Sequence, residues 1–250
     1  MIEVLITLSL CYILLFIISI KIQDNSIVDV FWGVGFLIVT LVLVHKNGLH
    51  DFSEILILFL IIIWSFRISI SILLKKIKQK GEDKRYSKWR KEWRYFYTRS
   101  FFQVYLLQMF LLILVSIPIF IIFYSKGDNN LLNIAGLFTS FFGLVYETIA
   151  DIQISNFIKG KDKNLNKIFT KGLWKYSRHP NYFGELIFWI GICIISLQYS
   201  LYGIIGLLVI AFILLFVSGV PLKERYYKNK SNYNEYVNNT PLFIPNYKSK

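Results

Sequence analysis

Seven apolar stretches, each near the length needed to cross a bilayer, alternate with short polar segments along this 250-residue chain. The hydropathy pattern bounds them at Ile2–Ile20, Ile27–Val44, Glu54–Leu74, Ser100–Tyr124, Leu131–Ala150, Pro180–Leu197 and Tyr202–Val220. A hydrocarbon core about 30 Å thick needs roughly 20 predominantly apolar residues of helix, so each stretch predicts a membrane span. Within hydrocarbon, a helix satisfies its own backbone hydrogen bonds inside one segment. The expected fold class is therefore all-α, a polytopic transmembrane helical bundle of about seven spans forming a single integral membrane domain over 1–250. No interval between spans is long enough for a soluble domain. Met1–Ile20 lacks a basic leader and a small-residue cleavage site, so it reads as a retained first span.

The polar positions then orient the bundle. The net charge is +13, from 28 basic and 15 acidic residues. Eleven Lys or Arg lie in Lys75–Arg99, seven in Lys159–Arg178 and six in Pro221–Lys250. These segments follow spans three, five and seven and so share one side, with Lys21, whereas the opposite loops carry only Lys46 and Lys126. The positive-inside rule places that side, and the C-terminus, in the cytoplasm, with the N-terminus outside. In this topology the basic excess implies orientation and contact with anionic membrane lipids, and no nucleic-acid partner. Gly127-Asp128-Asn129-Asn130 predicts an outer turn, and Pro118 a kink in span four. Cys11 and Cys193 lie in apolar spans, and three isolated histidines make no metal site, so no metal is expected.

Candidate chemistry concentrates in Lys171-Gly172-Leu173-Trp174-Lys175-Tyr176-Ser177-Arg178-His179-Pro180-Asn181-Tyr182-Phe183-Gly184-Glu185. A residue before proline avoids helix, and proline suits the first helical position, so span six is expected to start at Pro180. Lys175, Arg178 and His179 then precede the positive end of that helix, an arrangement suited to phosphate or carboxylate. Asn181 and Glu185 are four apart and share a face one turn in. Glu147 and Asp151 are likewise four apart, at the expected cytoplasmic end of span five, where the helix dipole disfavours negative charge and partners are required. Arg178, His179 or the hydroxyls and amide of a ligand could serve. By contrast, Asp29 with Trp32-Gly33 at the start of span two reads as an interfacial carboxylate and aromatic anchor needing no functional explanation. The tail, with Tyr226, Tyr227, Tyr233 and Tyr236, predicts a short amphipathic helix folded back under the bundle. There is no Gly-x-Gly-x-x-Gly, Walker loop or metal motif. The residues describe a cytoplasm-facing membrane site, formed by about 147–185 and 218–245, that joins a polar cofactor to a lipid-like substrate. The ionisable groups gather at one face, unlike a transport path through the midplane.

At these residues the chain resembles the steroid 5-alpha-reductase-like membrane family, in its short polytopic branch. The likeness runs almost the full length, through Asp29 with Trp32-Gly33, Trp64 with Arg67, Glu82-Asp83 with Arg85-Tyr86, Glu147 with Asp151, Gly172 through Glu185, and Ser218 to Pro245. It implies a seven-helix, NADPH-dependent oxidoreductase of the 3-oxo-5-alpha-steroid 4-dehydrogenase type, acting on a carbon–carbon double bond of a sterol-like or isoprenoid lipid. On that resemblance Asn181 and Glu185 approach the nicotinamide, Asp151 and Glu147 help hold the cofactor, and Arg178, His179, Arg225 and Tyr227 line its phosphates and ribose. Tyr86, Tyr182 and Tyr227 are the candidate proton donors. Isoprenylcysteine carboxyl methyltransferases and phospholipid methyltransferases also carry Arg-His-Pro-x-Tyr before a membrane helix and use S-adenosylmethionine. Their tails usually hold paired glutamates where this chain has Lys223-Glu224. Two alternatives therefore stand beside the reductase: an S-adenosylmethionine-dependent lipid or isoprenylcysteine methyltransferase, and a non-catalytic lipid-binding membrane protein.

Overall fold

A computed structural model describes residues 1–79, 81–125, 130–160 and 166–247. All regular structure among them is helical. The elements are α1 (Ile2–Ile22), α2 (Ile27–Asn47), α3 (Phe52–Gln79), α4 (Lys84–Glu92), α5 (Phe96–Val115) and α6 (Ile117–Tyr124). They continue with α7 (Leu131–Lys159), α8 (Pro180–Leu197), α9 (Gly203–Phe212, prolonged by a π-helical turn over Ile213–Val217), α10 (Val220–Tyr227) and α11 (Tyr233–Asn239). Among the described residues seven helices are long and apolar enough to span a membrane, close to the positions expected.

Several boundaries move. Span five reaches Lys159, two turns past Ala150, so Glu147, Asp151 and Gln153 lie inside the helix and not at its end. Polar side chains do not terminate a helix whose i to i−4 bonds can still form; the apolar run stops before the backbone ladder does. Span three likewise runs on to Gln79. The fourth span divides at Ser116, two residues before Pro118, which occupies the first turn of α6, as the expected kink requires. The outer turn proposed at Gly127-Asp128-Asn129-Asn130 lies outside the described residues up to Asn130. That asparagine caps α7 by accepting from the amides of Leu132 (2.9 Å) and Asn133 (3.1 Å).

The chain groups into two compact units: Met1–Asn129 with Tyr199–Gly206, and Asn130–Gln198 with Leu207–Lys250. In the first unit α2 packs on α3 where Gly33 leaves no room for a side chain; a β-carbon there would lie 2.6 Å from the Ser65 carbonyl oxygen. The approach to α4 is pinned to the α1–α2 turn. Glu82 accepts from the Asn25 amide (2.9 Å) and from both Nε and Nη2 of Arg90 (2.9 and 2.8 Å), and Ser26 Oγ accepts from the Asp83 amide (2.7 Å).

In the second unit α7 and α8 touch along small residues. Gly136, Ser140 and Gly143 of α7 face Gly184, Phe188 and Gly191 of α8, and Ser140 Oγ donates to the Phe188 carbonyl (3.0 Å). Close backbone approach of this kind is how helices associate where lipid removes the hydrophobic drive between them. It also sets the polar residues of α7 opposite the first turns of α8.

Candidate functional site

The turn that feeds α8 is assembled from three parts of the sequence. Gly172 has φ +61°, a left-handed conformation costly for any side chain, and its position leaves no space beside Gln153. From there a 3₁₀ turn, Gly172–Lys175, docks on α7: the Leu173 amide donates to Gln153 Oε1 (2.9 Å) and Trp174 Nε1 to the Ala150 carbonyl (3.0 Å). The tail closes over the other side. Tyr236 OH donates to the Trp174 carbonyl (2.6 Å), the Arg178 amide to the Pro241 carbonyl (2.9 Å), Ser177 Oγ to the Phe243 carbonyl (2.7 Å) and the Asn246 amide to the Tyr176 carbonyl (2.9 Å). The amphipathic tail helix expected from the sequence is α11, which places Tyr236 on this turn. Pro180 is the first residue of α8 and His179 its cap, as the His-Pro step dictates.

Glu224, on α10, is the hub. Its carboxylate accepts from Arg178 Nη1 (2.6 Å), from His179 Nε2 (2.8 Å) and from the Tyr233 hydroxyl (3.0 Å). The imidazole is fully buried and lies nearly parallel to the rings of Tyr182 (5.7 Å, 15°) and Tyr227 (6.1 Å, 16°). Burial pushes the His179 pKa below its usual value, with the Glu224 hydrogen bond opposing. A neutral ring that donates through Nε2 presents Nδ1 as an acceptor. That atom, Arg178 Nε and Asn181 Oδ1 are buried with no hydrogen-bond partner among the described residues.

The second half of the site lies where α7 meets α8. Gly184 sits against the backbone of Glu147, and Asn181 Nδ2 donates a long hydrogen bond to Asp151 Oδ1 (3.4 Å). Glu147, Asn181 and Glu185 are buried. Three carboxylates and one carboxamide thus occupy the facing turns of two helices. The partners foreseen for Glu147 and Asp151 are redistributed: Arg178 and His179 take Glu224, and Asp151 takes Asn181.

One unit therefore holds Glu147, Asp151, Arg178, His179, Asn181, Tyr182, Glu185 and Tyr227. Arg225 is exposed on α10, where the inward position one residue earlier belongs to Glu224. Glu224 and Tyr233 join the site without standing out in the sequence pattern. The available signal was a carboxylate at the end of an apolar span, together with the need of a buried Arg178 for a counter-charge.

Tyr86 belongs to the other unit, in a network the sequence did not suggest. Its hydroxyl donates to Asp29 Oδ1 (2.7 Å); Arg85 Nη2 donates to Asp29 Oδ2 (2.7 Å), and Gln108 Nε2 to Oδ1 (3.2 Å). Asp29 is thus no bare interfacial carboxylate, because α4 folds over it. Burial, then the Asp29 charge, push the Tyr86 phenol well above its usual range, so it holds its proton. Burial works against the Arg85 charge, but Asp29, Tyr86 and Asp83 together outweigh it and raise the guanidinium pKa. No group of ligands able to hold a metal occurs among the described residues.

A family model described as "Protein of unknown function (DUF1295)" matches residues 15–240, so the chain belongs to that family. No curated protein and no solved structure matches it.

Proposed function

We propose that this DUF1295 protein is a membrane-embedded NADPH-dependent reductase that saturates a carbon–carbon double bond of a sterol-like or isoprenoid lipid, in line with the resemblance to steroid 5-alpha-reductase-like proteins. The observation that carries the reading is the set of buried, unpartnered polar atoms around the start of α8. Asn181 Oδ1 and His179 Nδ1 are acceptors and Arg178 Nε is a donor. A carboxamide with adjoining ribose hydroxyls supplies donors to the first two, and a phosphate supplies an acceptor to the third. Buried polar groups left without partners are costly, so a ligand with this complement gains affinity from filling them.

The bound dinucleotide would supply a hydride, and the protein supplies the rest. Asn181 and Glu185 orient the carboxamide end, Asp151 and Glu147 take ribose hydroxyls, and Arg178, fixed in direction by Glu224, meets phosphate. Glu224 also fixes the His179 tautomer and so keeps Nδ1 an acceptor. A tyrosine hydroxyl gives the proton, and of the candidates Tyr182 and Tyr227 belong to the unit that holds these residues.

One observation favours a second reading. Glu147, Asp151 and Glu185 bring three carboxylates together on the facing turns of α7 and α8. Such a cluster of carboxylates suits a cationic sulfonium, as in an S-adenosylmethionine-dependent methyltransferase.

Thermal unfolding of the detergent-purified protein with NADPH, NADH and S-adenosylmethionine separates these readings, since a ligand that binds only the folded state raises its stability. NADPH is expected to stabilise the wild type and to lose that effect in Asn181→Ala and Glu185→Ala. Stabilisation by S-adenosylmethionine alone would transfer the site to the methyltransferase. A response to none of the three would leave a non-catalytic lipid-binding protein.

A further inference from the structure

The segment between α3 and α5 sorts its basic residues into two kinds. Arg85 is held by Asp29 and Asp83 and Arg90 by Glu82, as Lys76, in the last turn of α3, is held by Asp24. These cations hold the segment to the α1–α2 turn. The lysines of α4 do something else. Lys84, Lys88 and Lys91 follow one another at steps of four and three residues, which puts them in a single stripe along the helix, and all three are exposed. The opposite face carries Tyr86, Trp89 and Trp93, with the two tryptophans stacked (5.0 Å, 7°) and packed into the core around Tyr12 and Val28. Among the described residues the lysine stripe carries one ion pair, Lys88 with Glu92 at 3.7 Å, which is long and solvent-exposed on both sides, and such pairs hold little.

We infer that the lysine face of α4 is a binding surface for anionic phospholipid headgroups. The charge is complementary, and the geometry is continuous with the bilayer: α3 and α5, at either end of α4, are both membrane-spanning by length and composition. A short helix tethered at both ends in this way stays at headgroup level. Exposed Tyr95 and Tyr97 lie just beyond it, with Arg94 over the Tyr95 ring at 5.3 Å, the aromatic and basic pairing found at that depth. A nucleic acid would need the same charge but free access from solution, which the two flanking spans restrict. This surface lies in the first unit and is independent of the cofactor reading.

The test titrates phosphatidylglycerol or phosphatidylcholine into the full-length protein in dodecylmaltoside and follows thermal unfolding. Phosphatidylglycerol is expected to stabilise the wild type well beyond phosphatidylcholine. Each lysine near an anionic surface strengthens binding about fivefold, so Lys84→Gln/Lys88→Gln/Lys91→Gln should raise the half-saturating phosphatidylglycerol on the order of a hundredfold. A control with the same charge change, Lys159→Gln/Lys171→Gln/Lys228→Gln, alters exposed lysines in the other unit and should keep most of the wild-type response. Should the first triple variant unfold even in phosphatidylcholine, its three single variants carry the test, each expected to weaken the response about fivefold. The inference is overturned if phosphatidylglycerol gives no selective stabilisation or if the α4 variants respond as the wild type does. It is overturned equally if the control loses as much, or if inorganic phosphate at matched charge stabilises equally well. Stabilisation by a 20-nucleotide single strand in preference to phosphatidylglycerol would overturn it in favour of nucleic acid.

Discussion

Gly184 lies so close to Glu147 that a β-carbon built on it would stand 2.6 Å from the Glu147 amide nitrogen and 2.8 Å from its Cα. The obstacle is backbone, which cannot rotate aside as a side-chain end can. Gly184→Ala must therefore push α7 and α8 apart, at about 1–3 kcal/mol of stability. Because Asn181 reaches Asp151 across the same contact, the variant should also lose most of its NADPH-dependent stabilisation. Unfolding midpoints with and without NADPH measure both effects, and an alanine variant that matched wild type in each would refute this account of the helix contact.

Glu224 serves two buried donors, so removing it differs from removing one of them. Glu224→Leu strands the Arg178 guanidinium and the His179 N–H, and breaking a buried pair from one side costs about 3–5 kcal/mol. Arg178→Met/Glu224→Leu no longer strands a guanidinium and leaves the His179 N–H and the Tyr233 hydroxyl wanting an acceptor. Its loss should fall well short of the sum of the two single variants, by at least about 1 kcal/mol. A double-mutant cycle from unfolding midpoints gives the coupling directly; additive losses would mean the 2.6 Å contact carries no energy.

His179 makes stability depend on pH in one direction. The unfolded imidazole takes up its proton near its ordinary 6.5, whereas the buried, folded ring takes it up only at lower pH. Below 6.5 the unfolded chain therefore binds more protons than the folded chain. Stability from this group is level above that pH and falls as pH drops towards the folded value. His179→Gln, compared with wild type between pH 8 and pH 5, should flatten the acid side of the curve. A wild type that gains stability on acidification relative to the variant would show that the Glu224 hydrogen bond outweighs burial.

Tyr236→Phe removes one hydroxyl and leaves the Trp174 carbonyl buried without it, at about 1 kcal/mol. The site turn rests on that bond, so NADPH affinity should fall alongside stability. Tyr86→Phe provides the contrast. It loses a hydrogen bond to a charged group, about 1.5 kcal/mol at the low end because Arg85 remains to serve Asp29. Its NADPH-dependent shift should stay that of the wild type. If Tyr86→Phe abolished the shift, the phenol would be a cofactor ligand and not a proton donor.

The spans were legible because apolar length is a local property. Pro180–Leu197 was bounded to the residue, since His-Pro at one end and the polar turn after Leu197 at the other are both written in the sequence. Glu147 and Asp151 were found but misplaced at a helix end, because hydropathy marks the bilayer and not the hydrogen-bond ladder that carries α7 on to Lys159. Asp29 and Glu224 were underrated for a different reason. Their meaning depends on partners 56 and 46 residues away, Arg85 and Arg178, and no periodicity encodes such pairings. Arg225 lies one step along α10 from Glu224, which turns its side chain through about 100° and leaves it exposed, a placement its charge alone does not reveal.

The carbonyls of Pro241 and Phe243 that hold Arg178 and Ser177 have a bearing on biosynthesis. Ser177 and Phe243 are 66 residues apart, which at ordinary translation rates is a delay on the order of five to ten seconds. Late in that interval, once Pro180–Leu197 has been made, α7 and α8 can pack while the turn between them still lacks its last hydrogen bonds. The nascent protein would thus be anchored in the membrane before it was competent, and ligand binding would begin only after the ribosome had finished this stretch.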